Sequence, residues 1–157
     1  MLVNSRMSKY PLTIGPDESL SDAHRYMRDQ KVRHLPVVES DTKMLGLIAE
    51  EDLLKAGPSS ATTLSVWEIH NLLMEVKVKS VMVKDVITIE PETPIEEAAS
   101  LMADKQINCL PVLSENKLVG IITGEDIFIA MTALLGTRNP GIRITIQQPD
   151  QSGLIAR

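Results

Sequence analysis

The chain has 157 residues, of which 43% are hydrophobic and 24% charged, and these proportions are typical of a globular protein. The net charge of −5 argues against non-specific binding to nucleic acid, which needs Lys and Arg to displace phosphate counterions. A single cysteine excludes a disulfide within the chain and favours a reducing, cytoplasmic location. No apolar run approaches the ~20 residues of a membrane span, so we expect neither a membrane nor a nucleic acid as partner.

The strongest feature of the sequence is an internal repeat. Residues 3–56 align with residues 78–130 with 19 identical pairs among 53 aligned positions, and Pro36 falls on Pro111. So many identities indicate a duplication. We expect each copy to bury its apolar face against the other.

Each copy predicts the same order of elements: strand, helix, strand, strand, helix. The predicted strands cover residues 12–14, 35–38, 44–48, 86–89, 110–113 and 118–122. The apolar stripes of the first helix in each copy are Leu20, Ala23 and Met27, and Ile95, Ala98, Ala99 and Met102. The second helix of each copy is expected to begin at Glu51 or Glu125.

The start of the first helix in each copy carries a capping signal. In the first copy the cap is either Glu18 or Ser19. In the second copy we expect Thr93 as the cap, Pro94 at the first helical position and Glu96 completing a capping box.

A flexible segment and a connecting helix separate the copies. Residues 57–63 are predicted to form turns, and helical spacing of apolar residues predicts a helix over 66–76. Trp67 is expected to be a packing anchor, with contact to a partner as the alternative. The predicted division of the chain is a first domain over 1–56, a linker over 57–77, a second domain over 78–136 and a tail over 137–157.

The repeated motifs resemble a known family. The first copy reads L-P-V-V…L-G-L-I-A-E-E-D and the second L-P-V-L…V-G-I-I-T-G-E-D. They closely resemble the cystathionine-β-synthase-type (CBS) domain family over about residues 1–133. The resemblance implies an α+β fold in which two pseudo-symmetric CBS domains (β-α-β-β-α) pack through their sheets. It also implies a regulatory module that catalyses nothing by itself.

The segments outside the repeats are similar to one bacterial branch of that family. The linker SVWEIHNLL and the segment LLGTRNPGIRITIQQPDQSG look like the acetoin-utilisation (AcuB-type) branch, in which a small-molecule-binding ACT domain follows the CBS pair. Residues 137–157 then correspond to an incomplete ACT-like unit, from either a shortened chain or a vestige. We expect this tail to be mobile or held by another chain.

The resemblance implies that AMP, ADP, ATP or another adenosyl compound binds in the cleft between the copies as a regulatory ligand. Thr123 and the following helix N-terminus would face a phosphate, and Asp126 would accept hydrogen bonds from the ribose hydroxyls. A capping box, with Thr123 as cap and Asp126 reaching back, explains the same two residues.

A basic pair lies before the Leu-Pro strand of the first copy. Arg33 can bind a phosphate through two N–H groups, and His34 can add a donor when it is protonated. A solvated polar turn is the alternative. The second copy has the uncharged residues Asn108 and Cys109 at these positions.

The resemblance also implies that the adenine lies between a small helix residue and an apolar residue, opposite the acidic motif of the other copy. Core packing explains the same residues equally well. The predicted ligand-binding residues are Ala23, Val32, Arg33, His34, Asp52, Ala98, Ile107, Asn108, Ile122, Thr123 and Asp126.

The two ligand sites are predicted to be unequal, with the site built on Asp126 the tighter one for phosphorylated ligands. Where the second copy has Thr123, the first has Ala49, which has no hydroxyl. Glu50 adds a further carboxylate that would repel a phosphate near Asp52.

No catalytic or metal-binding arrangement is predicted. The histidines His24, His34 and His70 share no metal-ligand spacing, and Cys109 lies among apolar neighbours, where a buried and inert thiol is expected. We therefore predict no enzymatic activity and no required cofactor. The expected assembly is a homodimer formed through the helices into a disc. Two alternatives remain: a dimerisation scaffold that binds no ligand, and the regulatory fragment of a larger enzyme.

Overall fold

The computed structural model describes residues 1–40, 43–57, 63 and 65–134. Its strands are β1 (Ser8–Lys9), β2 (His34–Glu39), β3 (Lys43–Ala49), β4 (Cys109–Ser114) and β5 (Lys117–Thr123). Its helices are α1 (Leu20–Gln30), α2 (Glu50–Ala56), α3 (Val66–Glu75), α4 (Ile95–Lys105) and α5 (Gly124–Leu134). The side chain of Trp67 and the predicted ACT-like tail lie outside the described residues. In the described part of the chain, no helix is long and apolar enough to cross a membrane.

Two equivalent hairpins form the centre of the molecule. Strand β2 pairs antiparallel with β3, and β4 with β5, so that His34 lies opposite Ala49 and Cys109 opposite Thr123. Each hairpin has an irregularity in its register at the equivalent point. The structure therefore confirms the repeated α+β architecture and four of the six predicted strands.

The first predicted strand of each copy was wrong in extent. Ile14 forms a single parallel bridge with Val37, and Ile89 forms the equivalent bridge with Val112. A proline follows each of these isoleucines two residues later. Because proline has no N–H to donate, it cannot continue a ladder of hydrogen bonds.

The segment that precedes the first predicted strand of each copy, which we call its leading segment, pairs with the sheet of the other copy. Strand β1 of the first copy pairs with β5, with Ser8 opposite Ile121. In the second copy Val83 occupies the equivalent position, and it exchanges two backbone hydrogen bonds of 2.9 Å with Leu47 of β3. Each leading segment therefore belongs to one copy in sequence but pairs with the sheet of the other copy in space. We call this exchange the crossover.

The same crossover completes both hydrophobic cores. Val3, which is fully buried, packs with α4, β4 and β5 in the core of the second copy. Val78, also fully buried, packs with α1, β2 and β3 in the core of the first. Each copy therefore buries an apolar residue supplied by the other, as the duplication suggests.

The sequence left two candidates, Glu18 and Ser19, for the N-cap of α1, and the structure has one of them. Ser19 is the N-cap, and its hydroxyl accepts a hydrogen bond of 3.0 Å from the backbone N–H of Asp22. The N–H of Leu20 donates to the carbonyl of Val76, at 3.0 Å. The leading segment of the second copy thus supplies a further acceptor for the helix start.

The predicted capping box of α4 is wrong. Helix α4 begins at Ile95, its N-cap is Pro94, and no side chain caps it. The N–H of Ile95 instead donates to the carbonyl of Met1, at 2.9 Å. Because a backbone carbonyl of the leading segment accepts from the first N–H of the helix, Thr93 and Glu96 are not needed as a cap.

Close packing of the leading segment explains why a glycine lies in β3. A Cβ atom at Gly46 would come within 2.6 Å of the carbonyl oxygen of Val83. Any larger residue would push apart two paired backbones. Gly120 of β5 lies in the same way against the side chain of Met7.

Candidate functional site

A cavity of about 240 Å³ lies between the two copies and contains the positive charges of the predicted site. We call it the cationic cavity, since Lys31 and Arg33 line it and neither forms an ion pair within the described part of the chain. It is lined by Ser8, Pro11, Leu12, Lys31, Val32, Arg33, His34, Asn108, Ile121, Thr123, Glu125 and Asp126.

Asp126 is held in place by the residue that precedes α5. Its Oδ2 atom accepts two hydrogen bonds of 2.8 Å, from the backbone N–H and from the hydroxyl of Thr123. The carboxylate reaches back as the capping box predicts. The hydroxyl donates to the carboxylate, so its proton is not available to a phosphate. Oδ1 makes no hydrogen bond in the described part of the chain and remains an acceptor.

The end of α1 directs the basic residues into the cavity. Lys31 is the C-cap of α1 in the left-handed conformation, with φ of 55°, and its N–H donates to the carbonyls of Arg28 and Met27. The chain turns there, and Val32 and Arg33 follow it along the cavity. Glycine or asparagine usually occupies such a C-cap. The turn at Lys31 was therefore not recognised from the sequence, and Lys31 was not predicted as a site residue.

His34 lines both this cavity and a second one. Burial lowers the pKa of its imidazole, the charge of Arg33 lowers it further, and Glu51 and Asp52 oppose the shift. The side chain is therefore neutral at pH 7. The expectation that a protonated His34 donates to a phosphate is thus unsupported at this pH, although the neutral ring keeps one N–H donor.

The second cavity, of about 320 Å³, is lined by carboxylates without a basic partner among the lining residues. We call it the acidic cavity, because Glu51, Asp52 and Asp85 line it and no lysine or arginine does. It is lined by His34, Leu47, Ala49, Glu51, Asp52, Val83, Asp85, Val86, Ile87, Gln106, Ile107, Asn108 and Cys109. Asp85 was not predicted, because it belongs to the crossed-over leading segment.

The predicted opposition of the two copies is present in both cavities. Val32 of the first copy lies in the same cavity as Asp126 of the second, and Ile107 lies in the same cavity as Asp52. Asn108 lines both cavities. The helix starts α2 and α5 also match, since the N–H of Ala49 donates to Asp52 Oδ2 at 2.8 Å.

Three predicted site residues lie elsewhere. Ala23, Ala98 and Ile122 are fully buried in the cores and line neither cavity. Consecutive strand residues face opposite sides of a sheet, so Ile121 lines the cationic cavity while Ile122 faces the core. The period-two alternation of strand side chains was the signal that could have distinguished the two isoleucines.

The single cysteine is buried, as predicted. Burial, with a smaller contribution from the charge of Asp126, raises the pKa of the Cys109 thiol to about 12. The thiol therefore stays protonated at pH 7 and is a poor nucleophile. Within the described ranges, no group of three His, Cys, Asp or Glu side chains is arranged to hold a metal ion.

The two copies match the CBS domain family at residues 3–59 and 78–133. Together these segments cover well over half of the chain, and the chain belongs to the CBS domain family. The family resemblance of the repeated motifs is thereby confirmed.

Relatives of known sequence fall into two groups. A CBS domain-containing protein of Dictyostelium discoideum is 32% identical over 136 residues, which cover 86% of this chain and 94% of that protein. Homoserine O-acetyltransferase of Methanohalobium evestigatum is 34% identical over 116 residues, which are 73% of this chain but only 21% of the enzyme. The chain thus spans about a fifth of the length of this enzyme.

Three solved structures share the fold. A protein from Vibrio cholerae named for acetoin utilization (AcuB) matches with a TM-score of 0.72 and 31% identity, over 90% of this chain and 98% of that one. CBSX2, solved in complex with AMP, matches with a TM-score of 0.73 and 26% identity, over 85% and 98%. A CBS domain pair solved with 5′-methylthioadenosine and S-adenosyl-L-methionine matches at 0.69 and 28%, over 83% and 99%.

Proposed function

We propose that the chain is a regulatory module that binds an adenine nucleotide in the cationic cavity. The observation that carries the proposal is the meeting of Lys31 and Arg33 from one copy with Asp126 from the other in one cavity. Cationic side chains without a partner and a carboxylate with a free oxygen are the two features that a nucleotide requires. The AMP complex of the similar protein CBSX2 supports the choice of ligand.

The cavity offers a separate place for each part of a nucleotide. Arg33 and Lys31 bind the phosphate, and the guanidinium can do so through two N–H groups. Oδ1 of Asp126 accepts from the ribose hydroxyls. The apolar side chains of Leu12, Val32 and Ile121 contact the adenine.

AMP at 100 times its dissociation constant is expected to stabilise the fold by about 2.7 kcal/mol, which corresponds to a melting temperature ~5–10 °C higher. A thermal-shift screen with AMP, ADP, ATP and S-adenosylmethionine measures this rise in melting temperature. Lys31→Gln is the matched variant, because Gln106 occupies the equivalent left-handed position with φ of 53°. It should fold normally and show a smaller shift with AMP. If no adenosyl compound raises the melting temperature, the ligand-free scaffold is favoured instead.

We also propose that two copies of the chain associate through α2 and α5. Leu54 and Phe128 occupy equivalent positions of these helices and are 73% and 72% exposed, and Met131 is 49% exposed. Phe128 and Met131 are three residues apart on α5 and so share one face of it, and grouped exposed apolar side chains are typical of an interface. The dimer is compatible with nucleotide binding. If the chain binds no nucleotide, the dimer would still form, as the alternative of a ligand-free scaffold requires.

Phe128→Glu is expected to convert the dimer to a monomer, because the interface would bury two unpaired carboxylates. Size-exclusion chromatography with light scattering measures the mass. Tyr10→Glu is the control, because Tyr10 is 93% exposed and is not part of either helix. A wild-type chain that is monomeric at ~100 µM would contradict the dimer.

We propose finally that the chain catalyses nothing and passes its ligand-bound state to a partner enzyme or an attached domain. In the described part of the chain the only cysteine is protonated and no metal-binding group is present. We therefore expect phosphate release from ATP at the rate of the buffer alone. Turnover that survives repurification and disappears in Asp126→Ala would show the chain to be an enzyme.

A further inference from the structure

We infer that Tyr10 closes over the cationic cavity when a nucleotide is bound and stacks on its base. This inference rests on the proposed function, because it assigns a further contact to the ligand proposed for that cavity. In the structure the side chain of Tyr10 does not line the cavity and is 93% exposed. Its neighbours Ser8, Pro11 and Leu12 nevertheless all line it.

The second copy shows where the side chain of Tyr10 can lie instead. The alignment of the copies makes Tyr10 equivalent to Asp85, which lines the acidic cavity. The residues equivalent to the three lining neighbours of Tyr10 also line that cavity, and they are Val83, Val86 and Ile87. The two copies therefore agree at three of these four positions and differ at the position of Tyr10.

The difference between Tyr10 and Asp85 lies in the backbone. Tyr10 has φ of 53°, in the left-handed region, whereas Asp85 does not have a positive φ. A bulky residue rarely adopts the left-handed conformation, and a residue before a proline, as Tyr10 is before Pro11, favours an extended one. The exposed orientation of Tyr10 is therefore strained. Rotation to the extended conformation would bring its ring to the cavity, as at Asp85.

The chain is attached to the sheets on both sides of Tyr10. Lys9 pairs with Gly120 of β5, and the N–H of Ile14 donates to a carbonyl of β2, at 3.0 Å. Residues 11–13 neither donate nor accept a backbone hydrogen bond in the described part of the chain. The segment can therefore adjust to a rotation at Tyr10 while its two ends stay in place.

The chemistry of the cavity indicates what a closed Tyr10 would contact. Leu12, Val32 and Ile121 offer apolar contacts to one side of a base, and none of the described lining residues is aromatic. A tyrosine ring stacks on the face of any nucleic-acid base. Closure of Tyr10 would cover the second side of the base and remove two aromatic surfaces from water. The base, and not the phosphate or the ribose, is therefore the part of the ligand that Tyr10 recognises.

Nitration by tetranitromethane, followed by mass spectrometry of proteolytic peptides, tests the closure on the full chain. The chain has two tyrosines, and Tyr26 is the internal control, because it packs against the first core with the guanidinium of Arg25 5.5 Å from its ring centroid. Saturating AMP is expected to slow the nitration of Tyr10 several-fold and to leave that of Tyr26 unchanged. If AMP raises the melting temperature but leaves the nitration of Tyr10 unchanged, the inference is wrong and the proposed function stands.

Tyr10→Ala is expected to weaken AMP about tenfold in titration calorimetry, because it removes the stacked ring. Tyr10→Phe is the matched variant, since it keeps the ring and should bind AMP as tightly as the wild-type chain. Wild-type affinity in Tyr10→Ala, or an equal loss in both variants, would contradict the stacking. If the wild-type chain binds no AMP at all, the proposed function itself fails, and the absence of any thermal shift distinguishes this outcome.

Discussion

Asp126→Ala is expected to weaken AMP binding at least tenfold in titration calorimetry, and Asp52→Ala to weaken it much less. Loss of a hydrogen bond to a charged group costs about 1.5–3 kcal/mol, and 1.4 kcal/mol is a factor of ten in affinity. We attribute this loss to Oδ1 of Asp126, the free acceptor for the ribose in the cationic cavity. Asp52 lines the acidic cavity, whose carboxylates are expected to repel the phosphate of AMP.

The two variants form a matched pair. Each removes a carboxylate that accepts the backbone N–H at a helix start, at 2.8 Å from Ala49 in one case and Thr123 in the other. The loss of the backbone cap is therefore common to both, while only Asp126→Ala also removes the acceptor of the Thr123 hydroxyl. A difference in AMP affinity reports on the ligand contacts of Asp126 and this hydroxyl. If Asp52→Ala abolishes AMP binding and Asp126→Ala does not, the assignment of the two cavities is wrong.

The structure changes the reason for this inequality. The sequence suggested that Glu50 would repel a phosphate, but Glu50 is exposed and lines neither cavity. We attribute the expected inequality instead to Lys31 and Arg33, which line one cavity, and to Asp85, which lines the other. Ala49 provides no hydroxyl to hold Asp52 as Thr123 holds Asp126.

The duplication made most of the fold predictable, since two aligned copies show the same apolar spacing twice. The two hairpins and the starts of the five helices in the described part of the chain were predicted within one or two residues. The crossover of the leading segments could not be predicted in this way. The alignment shows that Val3 is equivalent to Val78. The apolar pattern of a leading segment, however, does not show whether the segment joins the sheet of its own copy or that of the other copy.

The site was partly predictable for the same reason. Arg33 and Asp126 lie in or next to the repeated motifs, and the family resemblance placed both at the cleft between the copies without deciding which side Arg33 lines. Ala23 and Ala98 could not be separated from core residues, because their helical spacing with Leu20 or Met102 fits burial equally well. Asp85 enters its cavity through the crossover, so it could not be predicted without the structure.

Val3→Ala is expected to destabilise the second copy although the residue belongs to the first in sequence. Val3 is fully buried among residues of α4, β4 and β5, so the change leaves a cavity in that core. Removing buried methyl groups without repacking costs about 2 kcal/mol. Leu2→Ala is the control, because Leu2 is the preceding residue and is 42% exposed. It should cost much less in denaturant unfolding.

Native-state amide exchange shows where the destabilisation falls. In Val3→Ala, amides of β4 and β5 should lose protection before those of β2 and β3, since the lost contacts are in the second core. Val78→Ala should do the reverse, because Val78 is fully buried against α1, β2 and β3. The reciprocal result follows only if each leading segment packs in the core of the other copy. Loss of protection in β2 and β3 first for Val3→Ala would mean that the segment packs on its own copy and that the crossover is incorrect.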